Sequence, residues 1–166
     1  MDESNRVVFV PHCLLNQSIR SNLGKKSNEK VKDLIHLFLD SGVGIVQLPC
    51  PEIEFNGKLK KYSGKVYKTK NYKEHCQGLS LVVSKEIKKY LDSDYNILGI
   101  FGIEFSPTCA VHKINNGKKV DFKRGIFIEE LEKQMQKQNF QVPIVPVNLN
   151  NVFSTLEKID LLLKNY

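Results

Sequence analysis

Short runs rich in β-branched and aromatic residues alternate with longer amphipathic segments along this chain of 166 residues. The short runs predict strands at residues 6–10, 43–49, 96–104 and 142–148. The longer segments predict helices at residues 27–42, 72–91, 124–139 and 152–165. Strands that alternate with helices pair in parallel through right-handed crossovers, which place helices on both faces of the sheet.

This order of elements predicts a single α/β domain over residues 1–166. We expect a mostly parallel four-stranded sheet with helices on both faces, a Rossmann-like or flavodoxin-like three-layer sandwich. Residues 54–70 predict a loop rich in Gly, Lys and Tyr, and the NNGKK run at residues 115–119 predicts a turn. Ligands of such sheets bind beyond the carboxyl ends of the strands, where the strand order reverses.

The net charge is +7, from 25 Lys and Arg against 18 Asp and Glu. The lysines are interspersed with acidic residues, and the arginines are Arg6, Arg20 and Arg124. This pattern is typical of solvated faces, so a nucleic-acid partner stays open but is not favoured. No run approaches the roughly 18 apolar residues of a membrane span, and the MDESNR start is unlike a secretory leader. We therefore expect a cytoplasmic protein with reduced cysteines and no membrane partner; the oligomeric state is left open.

Cysteines follow three successive predicted strands. Cys50 follows its strand immediately, Cys13 and Cys109 come a few residues after theirs, and prolines accompany all three. Since the carboxyl ends of parallel strands share one edge of a sheet, these thiols are candidates for a common site; the alternative is three buried small side chains. Cys76 lies inside the predicted helix 72–91, where we expect a half-exposed residue without a role in the site.

Converging thiols could serve three kinds of chemistry. They could bind zinc with His12 or His112 as a fourth ligand, hold an iron–sulfur cluster that has one iron without a protein ligand, or act as a redox or covalent nucleophile. The chain has no C-x-x-C pair, which favours a cluster over a compact zinc site. For the two histidines we favour the other interpretation, in which they are hydrogen-bond donors or solvated loop residues.

The motifs CLLN, QLPCPE and FSPTC, in this order at the ends of three predicted strands, resemble the thiouracil desulfurase family, small iron–sulfur desulfurases formerly described as a domain of unknown function. The resemblance runs from about Val7 to Cys109. It implies a [4Fe–4S] cluster on the three cysteines Cys13, Cys50 and Cys109, with the substrate's sulfur on the fourth iron. It also implies that Glu52 and Ser106 are catalytic.

The implied reaction converts C=S to C=O with release of sulfide, on a small thiolated nucleobase or a related thioamide. Glu52 would act as an acid–base group and Ser106 as a hydrogen-bond donor. The alternatives are a surface or helix-capping carboxylate for Glu52 and a Ser-Pro turn for Ser106. The competing interpretation of the chain as a whole is a metalloprotein without catalysis, which binds zinc through three cysteines and a histidine, or an RNA-associated module.

The chain departs from the family pattern near two of the motifs. Asn16 stands where relatives more often carry glycine, and the segment IEFNGKLKKYSGK after the second cysteine lacks the arginine that relatives usually carry there. Asn16 and Gln17 are amides that could bind the substrate by reading a nucleobase edge, or could satisfy loop backbone groups. Tyrosines of the predicted loop and of the helix after it could stack on a flat ring or lie on the surface.

Overall fold

A parallel sheet of four strands lies at the centre of the part of the chain that the structure describes, residues 5–19, 25–57 and 65–164. The structure is a computed structural model. The strands of this sheet are β1 (Arg6–Pro11), β2 (Gly44–Leu48), β3 (Asn96–Ile103) and β6 (Ile144–Val147). They pair in the order β2-β1-β3-β6. A short antiparallel hairpin of β4 (Ile114–Asn115) and β5 (Val120–Asp121) lies apart from the sheet.

Helices connect the strands within the described residues. They are α1 (His12–Leu15), α2 (Lys25–Asp40), α3 (Pro51–Asn56), α4 (Lys70–Asp92), α5 (Ile126–Lys137) and α6 (Val152–Lys164). Short 3-10 helices cover Gln17–Ile19 and Val66–Lys68. No helix in these ranges combines the length and apolar character that a membrane span requires.

Alternating side chains of β1 enter two separate cores. Val7 and Phe9 pack among buried residues of α4 and α5, while Val8 and Val10 pack among those of α2 and α6. This alternation follows from the two-residue period of a strand, and it places two helices on each face of the sheet. The predicted α/β three-layer sandwich with a parallel four-stranded sheet is therefore confirmed.

The strand order reverses at β1. The chain runs from β1 outward to β2 and then returns to β3 on the other side of β1. This reversal opens a crevice beyond the carboxyl ends of β1 and β3, the place where doubly wound sheets bind ligands. The loops that follow these two strands carry Cys13 and Cys109.

The prediction of a loop over residues 54–70 is wrong at both ends. Pro51 lies in the first turn of α3, and Gly57 ends that helix in the left-handed conformation with φ 63°. Proline in the first turn and glycine after the last are strong helix boundaries, so PEIEFNG folds as a helix. The 3-10 helix Val66–Lys68 occupies the far end of the predicted loop, and residues 58–64 lie outside the described residues.

Cys76 is buried and not half-exposed as the sequence predicts. Its relative exposure is 0%, and it packs in the core between the sheet and helices α4 and α5. Its neighbours on the same face of α4 are Tyr72, Val83 and Ile87. The prediction failed because the residues next to Cys76 in the sequence are polar, and they lie on other faces of the helix.

Candidate active site

Three neighbouring loops carry the three predicted ligand residues. Cys13 lies in α1 after β1, Cys50 directly precedes α3 after β2, and Cys109 lies in the loop after β3. All three thiols are free and partly buried. Burial raises the pKa of Cys109 well above its ordinary value, and the nearby Cys13 and Cys50 raise it further. The three thiols therefore lie near enough to one another for their charges to interact.

The two candidate histidines have other contacts. His112 Nδ1 lies 3.2 Å from Glu104 Oε1, and the His112 side chain is 65% exposed. His12 Nε2 lies 3.5 Å from Asn16 Nδ2. Over residues 5–19, 25–57 and 65–164, no three His, Cys, Asp or Glu side chains form a group that could hold a metal ion.

Ser106 organises the loop that carries Cys109. Its Oγ accepts hydrogen bonds from the backbone nitrogens of Thr108, at 3.3 Å, and Cys109, at 3.0 Å. Pro107 O and Thr108 O accept the backbone N–H groups of Ile126 and Phe127, which begin α5. The loop thus supplies acceptors to otherwise unpaired donors of a helix start, and this fixes its conformation.

Two glycines let the backbone of this loop approach β3 and α5. A Cβ on Gly102 would lie 2.5 Å from Cys109 O, and a Cβ on Gly125 would lie 2.4 Å from Thr108 C. Real side chains do not fit at such distances, so only glycine permits this packing.

Glu104 fixes the other end of the loop. Its carboxylate is buried and accepts hydrogen bonds from the backbone nitrogens of His112, at 3.1 Å, and Lys113, at 3.0 Å. The next residue, Phe105, has φ 68°, a left-handed conformation that is costly for an aromatic residue, by roughly 1–3 kcal/mol. Strain of this kind clusters at ligand sites, and Phe105 lines the cleft described next.

A cleft of about 680 Å³ opens beside this loop. Its walls are the end of β3, the β4–β5 hairpin, the start of α5, the loop after β6 and the 3-10 helix Val66–Lys68. The structure brings Glu52 and Ser106, the two predicted catalytic residues, together in this cleft. The sequence predicts only a turn for the hairpin, because two-residue strands carry no periodicity.

The two predicted substrate-binding amides are placed elsewhere. Among the described lining residues neither Asn16 nor Gln17 appears. The Asn16 side chain accepts a hydrogen bond from Ser18 Oγ at 2.6 Å in addition to its contact with His12. Their binding role stays a prediction, and the amides that do line the cleft are those of Asn115, Asn116 and Asn150.

Glu52 has a partner that the sequence does not reveal. Its side chain is only 8% exposed in the first turn of α3, and the Tyr67 hydroxyl forms a hydrogen bond with it. Burial raises the pKa of Tyr67 above its ordinary value, and the Glu52 charge raises it further. Tyr67 also lines the cleft, so it belongs to this site and not to the outer surface.

An aromatic cluster ties α3 to α4 under the cleft. The rings of Phe55 and Tyr72 meet edge-to-face at 5.2 Å, and those of Tyr67 and Tyr72 meet in the same way at 5.5 Å. Tyr72 is fully buried, and its hydroxyl lies 3.0 Å from Thr108 Oγ1 in the Cys109 loop. His75 Nε2 lies 3.0 Å from Pro51 O, which adds a polar contact between the two helices.

The fold and these residues define a small α/β protein with three free thiols and a cleft beside the loop that follows β3. The chain is 31% identical over 167 residues to the uncharacterized protein MJ0003 of Methanocaldococcus jannaschii, a match that covers 95% of this chain and 98% of that protein. The chain belongs to the same family as MJ0003. No protein-family model and no solved structure matches it.

Proposed function

We propose that this protein is a [4Fe–4S]-dependent desulfurase that converts the C=S group of a thiolated nucleobase, or of a related thioamide, to C=O and releases sulfide. The observation that carries the proposal is the meeting in one cleft of Glu52, two residues after the free thiol of Cys50, and Ser106, three residues before that of Cys109. A cleft of about 680 Å³ suits a small organic substrate.

Cys13, Cys50 and Cys109 are the residues that would hold the cluster. Thiolates from separate loops would suit this group, because each cysteine would ligate a different iron. The alternative, a zinc site of three thiols and a histidine, would need all four ligands at a single metal ion. When bound, the cluster supplies a thiophilic iron without a protein ligand, which can bind the sulfur of a C=S group.

The overall reaction exchanges sulfur for oxygen. The oxygen of a water molecule bonds to the carbon, the C–S bond breaks, and the two protons of the water leave with the sulfur as hydrogen sulfide. The protein has two tasks. It has to take a proton from the attacking water, and it has to stabilise the charge that develops on the atoms bonded to the reacting carbon, such as the incoming oxygen and the departing sulfur.

Glu52 suits the first task because its carboxylate lines the cleft and is largely shielded from bulk water. Ser106 suits the second. Since its Oγ accepts two backbone N–H groups, its hydroxyl hydrogen is the group left to donate into the cleft. Donors held in this way need no rearrangement as charge develops.

The experiment is a sulfide-release assay on anaerobically reconstituted protein with 2-thiouracil and 4-thiouracil. Glu52→Gln should lower the rate by about 10²–10⁴-fold, the usual contribution of an acid–base group, while iron content stays the same. Glu54→Gln is the matched control, because Glu54 is an exposed residue of the same helix. Full activity in Glu52→Gln would contradict the assigned role, and a wild-type protein that releases no sulfide from either compound would contradict the proposed function.

A further inference from the structure

We infer that Tyr67 is a positioning residue whose hydroxyl donates a hydrogen bond to Glu52 and holds that carboxylate toward the cleft. The inference rests on the proposed function, since it concerns the orientation of the group that is to activate water. Tyr67 would be a third residue of the site beside Glu52 and Ser106, and it lies outside the three cysteine motifs.

The backbone around Tyr67 is rigid enough for this task. Tyr67 is the middle residue of the 3-10 helix Val66–Lys68, and Thr69 follows as the N-cap of α4. Thr69 Oγ1 accepts the backbone N–H of Tyr72 at 3.3 Å and donates to Val66 O at 2.8 Å. One threonine therefore locks the turn of Tyr67 to the start of a 23-residue helix.

The ring of Tyr67 is held as firmly as its backbone. It packs edge-to-face on Tyr72, which is fully buried and also contacts Phe55 of α3. The helix that carries Glu52 and the turn that carries Tyr67 thus pack on the same buried ring. Their relative position is set by the core and does not depend on a bound substrate.

The hydroxyl of Tyr67 lies among the groups of the site. Besides forming its hydrogen bond with Glu52, Tyr67 lines the same cleft as Ser106. Because a carboxylate accepts hydrogen bonds and a phenol hydroxyl can donate one, Tyr67 is the donor of this bond. A donor of this kind fixes which way a carboxylate faces in a cleft.

Tyr67→Phe keeps the ring contacts and removes the hydrogen bond. In the reconstituted enzyme we expect kcat for sulfide release to fall by roughly 10- to 100-fold while KM changes less than about threefold, since the bond acts on the group that activates water. Iron content should be unchanged. Tyr90→Phe is the matched control, because Tyr90 packs on Phe9 and Tyr95 near the other end of α4.

A double-mutant cycle measures the same bond without activity. The unfolding equilibrium constants of the full-length protein, Tyr67→Phe, Glu52→Ala and the double variant should show a coupling of about tenfold or more, as expected for a hydrogen bond to a charged group. The same cycle with Tyr90→Phe should be additive.

Two results would overturn the inference: additive effects of Tyr67→Phe and Glu52→Ala on unfolding, or an unchanged kcat in Tyr67→Phe. If wild-type protein releases no sulfide, the proposed function fails. A coupling that persists in that case makes the bond a structural contact, and the positioning role is overturned as well.

Discussion

Ser106 Oγ accepts the backbone N–H of Cys109 at 3.0 Å, so one side chain both lines the cleft and shapes the loop of a candidate ligand. This double role explains why a serine stands three residues before the cysteine. It also separates the two effects of a substitution, because loop geometry and substrate contact depend on different atoms of the hydroxyl group.

Ser106→Ala should lower both stability and activity. The loss of two acceptor contacts should reduce the free energy of unfolding by about 1–2 kcal/mol, which chemical denaturation measures. Sulfide release should fall by roughly 10- to 100-fold. Ser106→Thr keeps the hydroxyl and should restore most of the stability; equal destabilisation by Ala and Thr would contradict the hydrogen-bonding account.

Gly102→Ala tests the packing of the Cys109 loop on β3. A Cβ at this position would lie 2.5 Å from Cys109 O and 2.6 Å from Val111 Cγ2, so the loop must shift. We expect a loss of about 1–3 kcal/mol in the free energy of unfolding, together with a lower iron content after reconstitution.

Gly78→Ala is the control for this change. A Cβ on Gly78 meets no atom within 4 Å, and the residue lies within α4. Because alanine favours helix more than glycine does, this variant should be more stable than wild type by roughly 0.5–1 kcal/mol. If Gly102→Ala were as well tolerated as Gly78→Ala, the close approach of loop and strand would be refuted.

Cys76 should make stability depend on alkaline pH. Burial raises the pKa of Cys76 from 9.0 to about 12, so the unfolded chain loses this proton at lower pH than the folded protein does. The stability that the neutral thiol contributes is complete below the unfolded pKa and declines as pH rises from there toward the folded pKa.

The measurement compares wild type with Cys76→Ala. At about pH 10, wild type should lose about 1.4 kcal/mol of unfolding free energy relative to neutral pH beyond what Cys76→Ala loses, since one ionisation contributes about that amount for each pH unit above the unfolded pKa. Parallel pH profiles of the two proteins would show that the thiol ionises normally.

The fold was largely predictable, because β1 is a short run of β-branched and aromatic residues and the long helical segments carry apolar residues at helical spacing. The position of Cys13, Cys50 and Cys109 after the carboxyl ends of β1, β2 and β3 was predictable for a related reason, since parallel strands end at the same side of a sheet. Both predictions start from short stretches of sequence, and the regular geometry of a parallel α/β sheet then fixes where those stretches lie.

The rest of the site was not predictable because it depends on tertiary placement. Tyr67 lies in a Lys-rich stretch, and only the packing of Phe55 and Tyr72 brings its hydroxyl to Glu52. The left-handed Phe105 likewise has no local signal, because glycine or asparagine would be expected at such a position. One local signal near Tyr67 was available in the sequence. A threonine before an amphipathic helix predicts an N-cap, so Thr69 indicates that an ordered turn precedes α4.

The most direct test of the central claim is an anaerobic count of iron and acid-labile sulfide, with a visible spectrum, on wild type and on single variants of the four cysteines. We expect about four irons and four sulfides for wild type, as for a [4Fe–4S] cluster. Cys13→Ala, Cys50→Ala and Cys109→Ala should each lose most of the iron, and Cys76→Ala should retain it. A colourless wild-type protein with stoichiometric zinc, or iron that survives loss of Cys109 but not of Cys76, would contradict the central claim.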